Sequence, residues 1–139
     1  MISKKTIYGL QAAILLAKRY ETGPVLITDL AKEGRIPKKF LEAILLELRK
    51  SGILNSKKGK GGGYVLAKDA QDITVGDIIR TLEGSFAEIY FEDETKETNE
   101  IKMIMKEVRD AMSNILDKTS LADVIERASV GQNVLNYMI

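Results

Sequence analysis

The sequence predicts a mainly α-helical fold with one small two-stranded hairpin and a long helix towards its C-terminus. Apolar residues recur at helical spacing over most of the chain, and residues 53–68 combine two short strand-like segments with a glycine-rich turn. A further periodic segment of about 20 residues lies in the last third. With 139 residues, 45% of them hydrophobic, the chain fits either one domain or a small domain with an appendage, and it can bury a modest core.

The composition excludes several classes of function. The chain has no cysteine and no histidine, which removes disulfides, cysteine nucleophiles, histidine acid–base catalysis and the usual zinc sites. No segment approaches the roughly 20 apolar residues that cross a bilayer, and the first ten residues, MISKKTIYGL, lack the apolar core of a secretory signal. We therefore expect a cytoplasmic protein that is not an enzyme and has no metal, cofactor or membrane partner.

The two halves of the chain carry opposite charge. Residues 1–68 contain 14 Lys and Arg against 5 Asp and Glu, a net charge of +9, whereas residues 69–139 contain 7 against 15, a net charge of −8. A basic half favours a nucleic-acid partner, and an acidic half is repelled by phosphate. We expect the first half to bind nucleic acid and the second to face away or to serve another partner.

The first third of the sequence predicts two helices. A helical pattern covers Lys4 to Tyr20 and ends before Gly23-Pro24, a pair of strong stop signals. Residues 25–27 are long enough only for a strand fragment. Thr28 is then the expected N-cap of a short helix, Asp29 to Glu33, in which Asp29 favours the first turn.

A third helix, Lys38 to Lys50, is expected directly after Pro37, a residue that the first helical turn tolerates. The order helix, tight turn, helix is typical of DNA-binding proteins in which the start of the second helix reaches base edges. The residues that the apolar pattern leaves off the core there are Lys38, Lys39 and Glu42. Glu42 has the chemistry to accept from a cytosine amino group. The alternative is that the lysines are ordinary solvated residues.

The hairpin is the most distinctive stretch. Strands are expected at Ile53 to Lys57 and Tyr64 to Ala67, and the turn between them is rich in lysine and glycine. Glycines allow close backbone approach and lysines supply charge, which favours a polyanion over an ordinary solvated loop. A nucleotide-binding loop is disfavoured because the glycines run into a strand and no Gly-Lys-Ser/Thr follows. Helices followed by a basic hairpin predict a winged helix-turn-helix.

The acidic half predicts a dimer. A short helix is expected at Thr74 to Glu83, with Thr74 and Asp77 at capping-box spacing, and a long one at about Thr98 to Asp117. The apolar stripe of the long helix comprises Ile101, Ile104, Met105, Val108, Met112, Ile115 and Leu116. We expect this long dimerisation helix to pack partly against the first helix and otherwise against a second copy.

The end of the chain predicts one more helix. Ser120 and Asp123 are expected to cap it, and it should run to about Val130. For Asn133 to Ile139 we expect a strand or a tail that lies against the dimer.

Five motifs together resemble the Rrf2 family of dimeric winged-helix regulators, which includes the IscR, NsrR and CymR types. They are IPKKFLE at 36–42, LRKSGI at 48–53, GGGYVL at 61–66, DITVGDII at 72–79 and LEG at 82–84. The resemblance implies a reading helix in the major groove, a wing in an adjacent minor groove and a dimer formed by a long later helix. The matching DNA-binding positions are Lys4, Lys5, Tyr8, Lys38, Lys39, Phe40, Glu42, Lys57, Lys58, Lys60, Gly61, Gly62 and Tyr64.

The chain departs from the family in one segment. Many members hold an iron–sulfur cluster through three cysteines in the segment corresponding to 85–99, where this chain has none. Carboxylates at 88, 92, 93, 94 and 97 are alternative metal ligands, but a solvated acidic loop is favoured. The resemblance is greatest to the cysteine-poor CymR-type branch, which regulates sulfur metabolism with cysteine synthase as partner. A C-terminal tail of Tyr137, Met138 and Ile139 that inserts into that enzyme is therefore an alternative to a packed tail.

We divide the chain into a winged helix-turn-helix domain (1–84), an acidic loop (85–97), and a dimerisation helix with a C-terminal segment (98–139). The predicted function is a homodimeric, sequence-specific transcriptional repressor of cysteine or sulfur metabolism that binds a palindromic operator in double-stranded DNA. The alternative is a winged helix that only binds proteins, which predicts weak, salt-insensitive association with DNA.

Overall fold

The structure is a computed structural model that describes residues 2–84 and 98–138. The segment predicted to be an acidic loop, 85–97, lies outside the described residues, as does Ile139. In the described part, no helix is both long enough and apolar enough to cross a membrane.

The mainly α-helical fold is confirmed. The helices are α1 (Lys4–Lys18), α2 (Ile27–Gly34), α3 (Lys38–Lys50), α4 (Val75–Glu83), α5 (Asn99–Lys118) and α6 (Leu121–Met138). The strands β1 (Leu54–Lys57) and β2 (Gly63–Leu66) form an antiparallel hairpin in which Leu54 pairs with Leu66 and Lys57 with Gly63. Short 3₁₀ turns at Tyr20–Thr22 and Ala70–Asp72 follow α1 and precede α4. These elements have the arrangement of a winged helix-turn-helix with a long helix after it.

The start of α2 differs from the prediction. Leu26, not Thr28, is the N-cap residue, and Thr28 lies inside the helix. The backbone of Val25 exchanges two hydrogen bonds with that of Tyr64, each 2.9 Å long. The chain is therefore extended at Val25, and the helix begins two residues later, at Ile27. The predicted strand fragment at 25–27 is thus reduced to the bridging residue Val25, because the hairpin is its only pairing partner among the described residues.

One hydrophobic core holds residues 2–84 together, and we call this part the N-terminal domain. Its fully buried side chains come from α1 to α4, from the hairpin and from Leu121 at the start of α6. They include Leu16, Leu30, Leu41, Ile44, Leu45, Leu48, Leu54, Ile73 and Ile78. Helix α1 crosses α4 closely at Gly9, because a β-carbon there would collide with Leu82. This core fixes α3 and the hairpin relative to each other.

The two predicted helix caps in the acidic half are confirmed. The Thr74 hydroxyl accepts from the Asp77 amide at 3.0 Å while the Asp77 carboxylate accepts from the Thr74 amide at 3.0 Å. Ser120 and Asp123 form the same reciprocal pair at the start of α6, again at 3.0 Å each. Both caps satisfy backbone donors that a helix start leaves without intrahelical partners.

The C-terminal segment differs from the prediction in two ways. Residues 133–138 continue α6 and form neither a strand nor an extended tail. The helix passes through Gly131. A glycine inside a helix lowers helix stability by about 1 kcal/mol relative to alanine, which is not enough to end the helix here. In addition, α6 rather than α5 packs against α1, while α5 contacts the N-terminal domain mainly at α4.

Candidate nucleic-acid interface

Helix α3 has one face in the core and the other in solvent. Leu41, Ile44, Leu45 and Leu48 are fully buried, which fixes the helix rotationally. The predicted DNA-binding residues Lys38, Lys39 and Glu42 are all exposed in the first two turns. The structure therefore presents the start of α3 with two lysines and a carboxylate that are free to meet a ligand.

Phe40 lies on the flank of α3 that faces α1. Its side chain is 52% exposed, although it is a large apolar group. Its ring lies 5.9 Å from that of Tyr8, centroid to centroid, with the ring planes at 50°. Tyr8 is itself half-buried against the core, so the exposed Phe40 ring has a contact with a ring that the core holds in place. The structure thus joins two predicted site residues, with Tyr8 beneath and Phe40 outermost.

The two predicted lysines of α1 differ in whether the protein itself neutralises their charge. The Lys5 Nζ lies 2.6 Å from the Glu47 Oε1 of α3, so its charge is partly neutralised within the protein. Lys4 is exposed. Of the two lysines, Lys4 is the better placed for a phosphate, and Lys5 holds α1 against α3.

A carboxylate that the sequence analysis did not single out fixes the start of α1. The Oε1 atom of Glu83, at the end of α4, accepts from the Ser3 amide at 2.6 Å and from the hydroxyl of the buried Thr6 at 2.7 Å. These hydrogen bonds, first those from Ser3 and then that from Thr6, hold the pKa of the Glu83 carboxyl below its ordinary value. The LEG motif at 82–84 was the only sequence signal, and it carried no spacing that linked it to residue 3.

The hairpin presents its lysines at the tip. Lys57, Lys58 and Lys60 are all exposed. Gly59 and Gly61 have φ angles of 88° and 77°, a region that side chains other than glycine rarely adopt. A β-carbon on Gly62 would collide with the backbone oxygens of Lys57 and Gly59. These glycines therefore shape the loop that carries the lysines.

Tyr64 has a structural position within the predicted wing. Its backbone pairs with Val25, and its half-buried side chain packs against the core. The backbone of Tyr64 therefore joins the hairpin to the chain before α2, and its side chain is less exposed than those of the hairpin lysines.

One further arginine connects α3 to the hairpin. The Arg49 Nη1 atom, in the last turn of α3, donates to the Ser56 hydroxyl of β1 at 3.3 Å. Arg49 is exposed and cationic, and the sequence marked it only as a residue at the far end of the helix. It adds a basic group between α3 and the hairpin.

The lysines of α3 and the hairpin keep their charge available. Within residues 2–84 and 98–138 none of Lys38, Lys39, Lys57, Lys58 and Lys60 forms an ion pair, whereas Lys5 pairs with Glu47, Arg19 with Glu33 and Arg80 with Asp117. Unpaired cations on two adjoining elements attract an anionic polymer.

The predicted dimerisation residues form an uncovered face, which we call the α5 stripe. Ile101, Ile104, Val108 and Ile115 are 44–61% exposed. Met105, Met112 and Leu116 are half-buried, and α5 contains no buried residue. Tyr137 and Met138, two of the predicted tail residues, lie in the last turn of α6, and Ile139 is outside the described residues.

Residues 2–127 match the model of the Rrf2 family, described as an iron-dependent transcriptional regulator. Iron–sulfur clusters are held by cysteine thiolates, sometimes with histidine, and this chain has neither residue. The described residues also contain no group of three carboxylates positioned to hold a metal ion. The donor set of this chain therefore does not fit an iron–sulfur cluster.

Two further kinds of similarity agree with the family match. The HTH-type transcriptional regulator CymR of Bacillus subtilis is 38% identical over 139 residues, which cover 99% of both chains. The structure of CymR, described as the global cysteine regulator of B. subtilis, has a TM-score of 0.84 at 35% identity and covers 91% of this chain and 97% of that one. The IscR of T. potens has a TM-score of 0.80 at 35% identity, covering 95% and 90%. This chain, a DNA-binding transcriptional regulator, thus belongs to the Rrf2 family.

Proposed function

We propose that this protein is a homodimeric repressor that binds a palindromic operator sequence-specifically. The observation that carries the proposal is the set of exposed, unpaired lysines on the first turn of α3 and on the hairpin, whose positions one buried core fixes. A helix whose inner face is buried and whose outer face is basic and polar fits the major groove.

Within α3, the exposed side chains have different chemistries for base edges. Lys38 and Lys39 donate to guanine acceptors, and Glu42 accepts from the cytosine amino group. Phe40 offers an apolar face, which suits the methyl group of thymine. The operator should therefore contain G·C pairs and at least one thymine within each half-site.

The hairpin and α1 serve mainly the phosphate backbone in this proposal. Lys57, Lys58 and Lys60 are at a glycine-shaped tip that fits a minor groove, and Gly61 and Gly62 let the backbone approach closely. Lys4 reaches a phosphate next to the reading helix, while Lys5, Tyr8 and Tyr64 hold the contact elements in place. Such contacts add affinity without sequence preference.

The dimer is proposed from the α5 stripe. An exposed apolar face along a 20-residue helix indicates an interaction surface, and a second copy buries it isologously. A two-fold pair presents two reading helices about one DNA turn, roughly 34 Å, apart. The operator is therefore expected to be a palindrome.

The test is selection of binding sites from random duplexes by the purified protein, followed by affinity measurements against salt. We expect a palindromic consensus and a log–log salt slope of about −0.9 per phosphate neutralised. Weak, salt-insensitive association without an enriched sequence would indicate instead a winged helix that only binds proteins.

The regulated process is proposed from similarity along the whole chain. The B. subtilis relative named a global cysteine regulator is 35% identical in its solved structure, so we propose that this protein represses genes of cysteine or sulfur metabolism. As a regulator it acts on chromosomal DNA in the cytoplasm and performs no catalysis. Genes next to the selected operators that have no link to sulfur would contradict this assignment.

Cysteine synthase is proposed as a protein partner, recognised through Tyr137, Met138 and Ile139. The support is the CymR-type similarity of the whole chain. Because α6 is helical to Met138, such binding requires the last turn to unwind or to be recognised as a helix. Deleting residues 136–139 and titrating the purified enzyme tests this, and unchanged affinity would remove the tail from the proposal.

A further inference from the structure

Backbone hydrogen bonds join the C-terminal end of helix α5 to the N-terminal domain. Two backbone hydrogen bonds of 2.9 Å, from the Val75 amide to the Thr119 carbonyl and from the Leu121 amide to the Ile73 carbonyl, tie the α5–α6 turn to the chain before α4. Thr119 and Ser120 are 8% exposed and Leu121 is fully buried. By contrast, α5 itself has no buried residue.

An ion pair between α4 and the last turn of α5 forms a second attachment. The Arg80 guanidinium of α4 donates to both carboxylate oxygens of Asp117, from Nη2 to Oδ2 at 2.9 Å and from Nη1 to Oδ1. A bidentate arginine–carboxylate pair fixes direction as well as distance, because both groups are planar. The backbone hydrogen bonds hold the C-terminal end of α5 in position, and this ion pair restricts the angle between α5 and α4.

Gly76 lies directly beneath the ion pair. It is buried, and a β-carbon on it would lie 2.9 Å from the Arg80 Nη1 and 3.3 Å from the Leu116 carbonyl oxygen, with Asp117 closer still. Only a hydrogen atom fits between α4 and the last turn of α5. Substitution here must therefore move either the ion pair or the backbone of α5.

The position of the attachment amplifies any change of angle. At about 100° per residue, Asp117 lies on the side of α5 opposite the centre of the stripe, so a substitution of Asp117 leaves the stripe residues themselves unchanged. The helix is about 30 Å long, so a rotation of about 5° at its C-terminal end moves its N-terminal end by about 2.6 Å. Ile101 and Ile104 lie at that far end.

We propose that Gly76, Arg80 and Asp117, here called the α4–α5 junction, are positioning residues that set the spacing between the two operator half-sites. The inference rests on the proposed dimer through the α5 stripe. The direction of α5 determines how far apart two N-terminal domains lie when their stripes are joined. Each inserted base pair displaces a half-site by about 3.4 Å and rotates it by about 35°, so a few degrees at the junction change which spacing fits.

The test uses the selected operator with its half-sites separated by zero, one or two added or removed base pairs. For the wild type we expect one spacing to be preferred about tenfold or more over its neighbours. Asp117→Asn removes the charge and the bidentate pair at nearly constant volume, and Gly76→Ala inserts the β-carbon. We expect the preference to fall to about threefold or less in D117N and the optimum to broaden or shift in G76A, with affinity for an isolated half-site unchanged within about twofold.

Glu33→Gln is the matched control. Glu33 pairs with Arg19, the two side chains are 38% and 40% exposed, and both lie within the N-terminal domain, whereas Asp117 and Arg80 are 46% and 39% exposed. E33Q should keep the wild-type spacing profile. If D117N and G76A also keep it, the inference is wrong. If G76A does not fold, the spacing profile of D117N alone tests the inference.

A distance measurement separates this inference from the proposed function. Because the chain has no cysteine, spin labels attach only at introduced thiols, for example Lys32→Cys in α2 and Lys102→Cys in α5, with unlabelled protein in excess. We expect the distribution of distances between the labels to broaden in D117N and not in E33Q. A wild type that selects no palindrome contradicts the proposed function and the spacing role, whereas an unbroadened distribution contradicts the junction itself.

Discussion

Helices α3 and α5 are both amphipathic, yet their apolar faces differ in burial. In α3 four aliphatic side chains are fully buried. In α5, which is 20 residues long, no residue is buried and four of the seven stripe residues are more than 40% exposed. An apolar stripe thus indicates that a helix needs a partner, and it does not indicate whether that partner lies in the same chain.

The difference also separates two sources of stability. In the N-terminal domain the apolar side chains are buried within one chain, and each fully buried leucine or isoleucine contributes about 1.5–3 kcal/mol. In the proposed dimer, the corresponding contribution of α5 depends on association and therefore on protein concentration. Substitutions in the two helices should accordingly affect different measurements.

The largest effect is expected from a core substitution in α3. Leu41→Ala leaves a cavity at a fully buried position and should lower the free energy of unfolding by about 2–5 kcal/mol. Ile104→Ala in α5 should lower that of the dissociated chain by less than about 1 kcal/mol, because the side chain is 48% exposed. Urea unfolding at low protein concentration measures both. Equal losses would remove the distinction between the two helices.

The second-largest effect is expected on the association of two copies of the chain. Ile104→Asp places a charge in the α5 stripe and should weaken the dimer by about 100-fold, or ~2.7 kcal/mol, as measured by sedimentation over a range of concentrations. Met103→Asp is the matched control, because Met103 is 66% exposed and lies outside the stripe. If both variants weaken the dimer equally, or neither does, a different surface forms it.

A smaller effect is expected for DNA binding when charge is removed from the hairpin. Lys58→Ala combined with Lys60→Ala should lower affinity about tenfold at moderate salt and make the salt slope shallower by about 0.9 for each phosphate that is no longer neutralised. Lys102→Ala combined with Lys106→Ala removes two exposed lysines from α5 and should leave both quantities unchanged. An equal loss in the α5 variant would indicate that the basic half does not define the DNA surface.

The smallest effect is expected at Glu83, where α4 holds the start of α1. Glu83→Gln keeps the shape but weakens the hydrogen bonds from Ser3 and Thr6, so the free energy of unfolding should fall by about 1 kcal/mol at neutral pH. Because the pKa of Glu83 in the folded state is lowered, its contribution is present above the ordinary value of 4.5 and is lost as pH falls through the lowered pKa. Unfolding measured against pH should show this acid-side loss in the wild type and not in E83Q. Asp110→Asn, at an exposed position of α5, should retain it.

Local signals in the sequence predicted those parts of the fold that depend on neighbouring residues. The range of α3, the capping box of Thr74 and Asp77 and the glycine turn of the hairpin were all predictable, because each depends on residues close in sequence. The start of α2 was predicted wrongly, because a bridge between Val25 and Tyr64, 39 positions apart, overrode the local N-cap signal. The helical continuation from Val130 to Met138 was not predicted, although the structure shows one helix from Leu121 to Met138.

By itself, the sequence determined the helix-turn-helix order, the basic hairpin, the absence of cysteine and histidine ligands, and the apolar stripe of α5. Periodicity, charge and composition are properties of the chain, so they are readable without coordinates. Only the tertiary structure decided that Glu47 neutralises Lys5, that Tyr8 supports Phe40 and that Glu83 holds the start of α1. It also decided that Arg80 of α4 pairs with Asp117 of α5. Each of these contacts joins side chains at least 32 residues apart, and such distances close only when the core has formed.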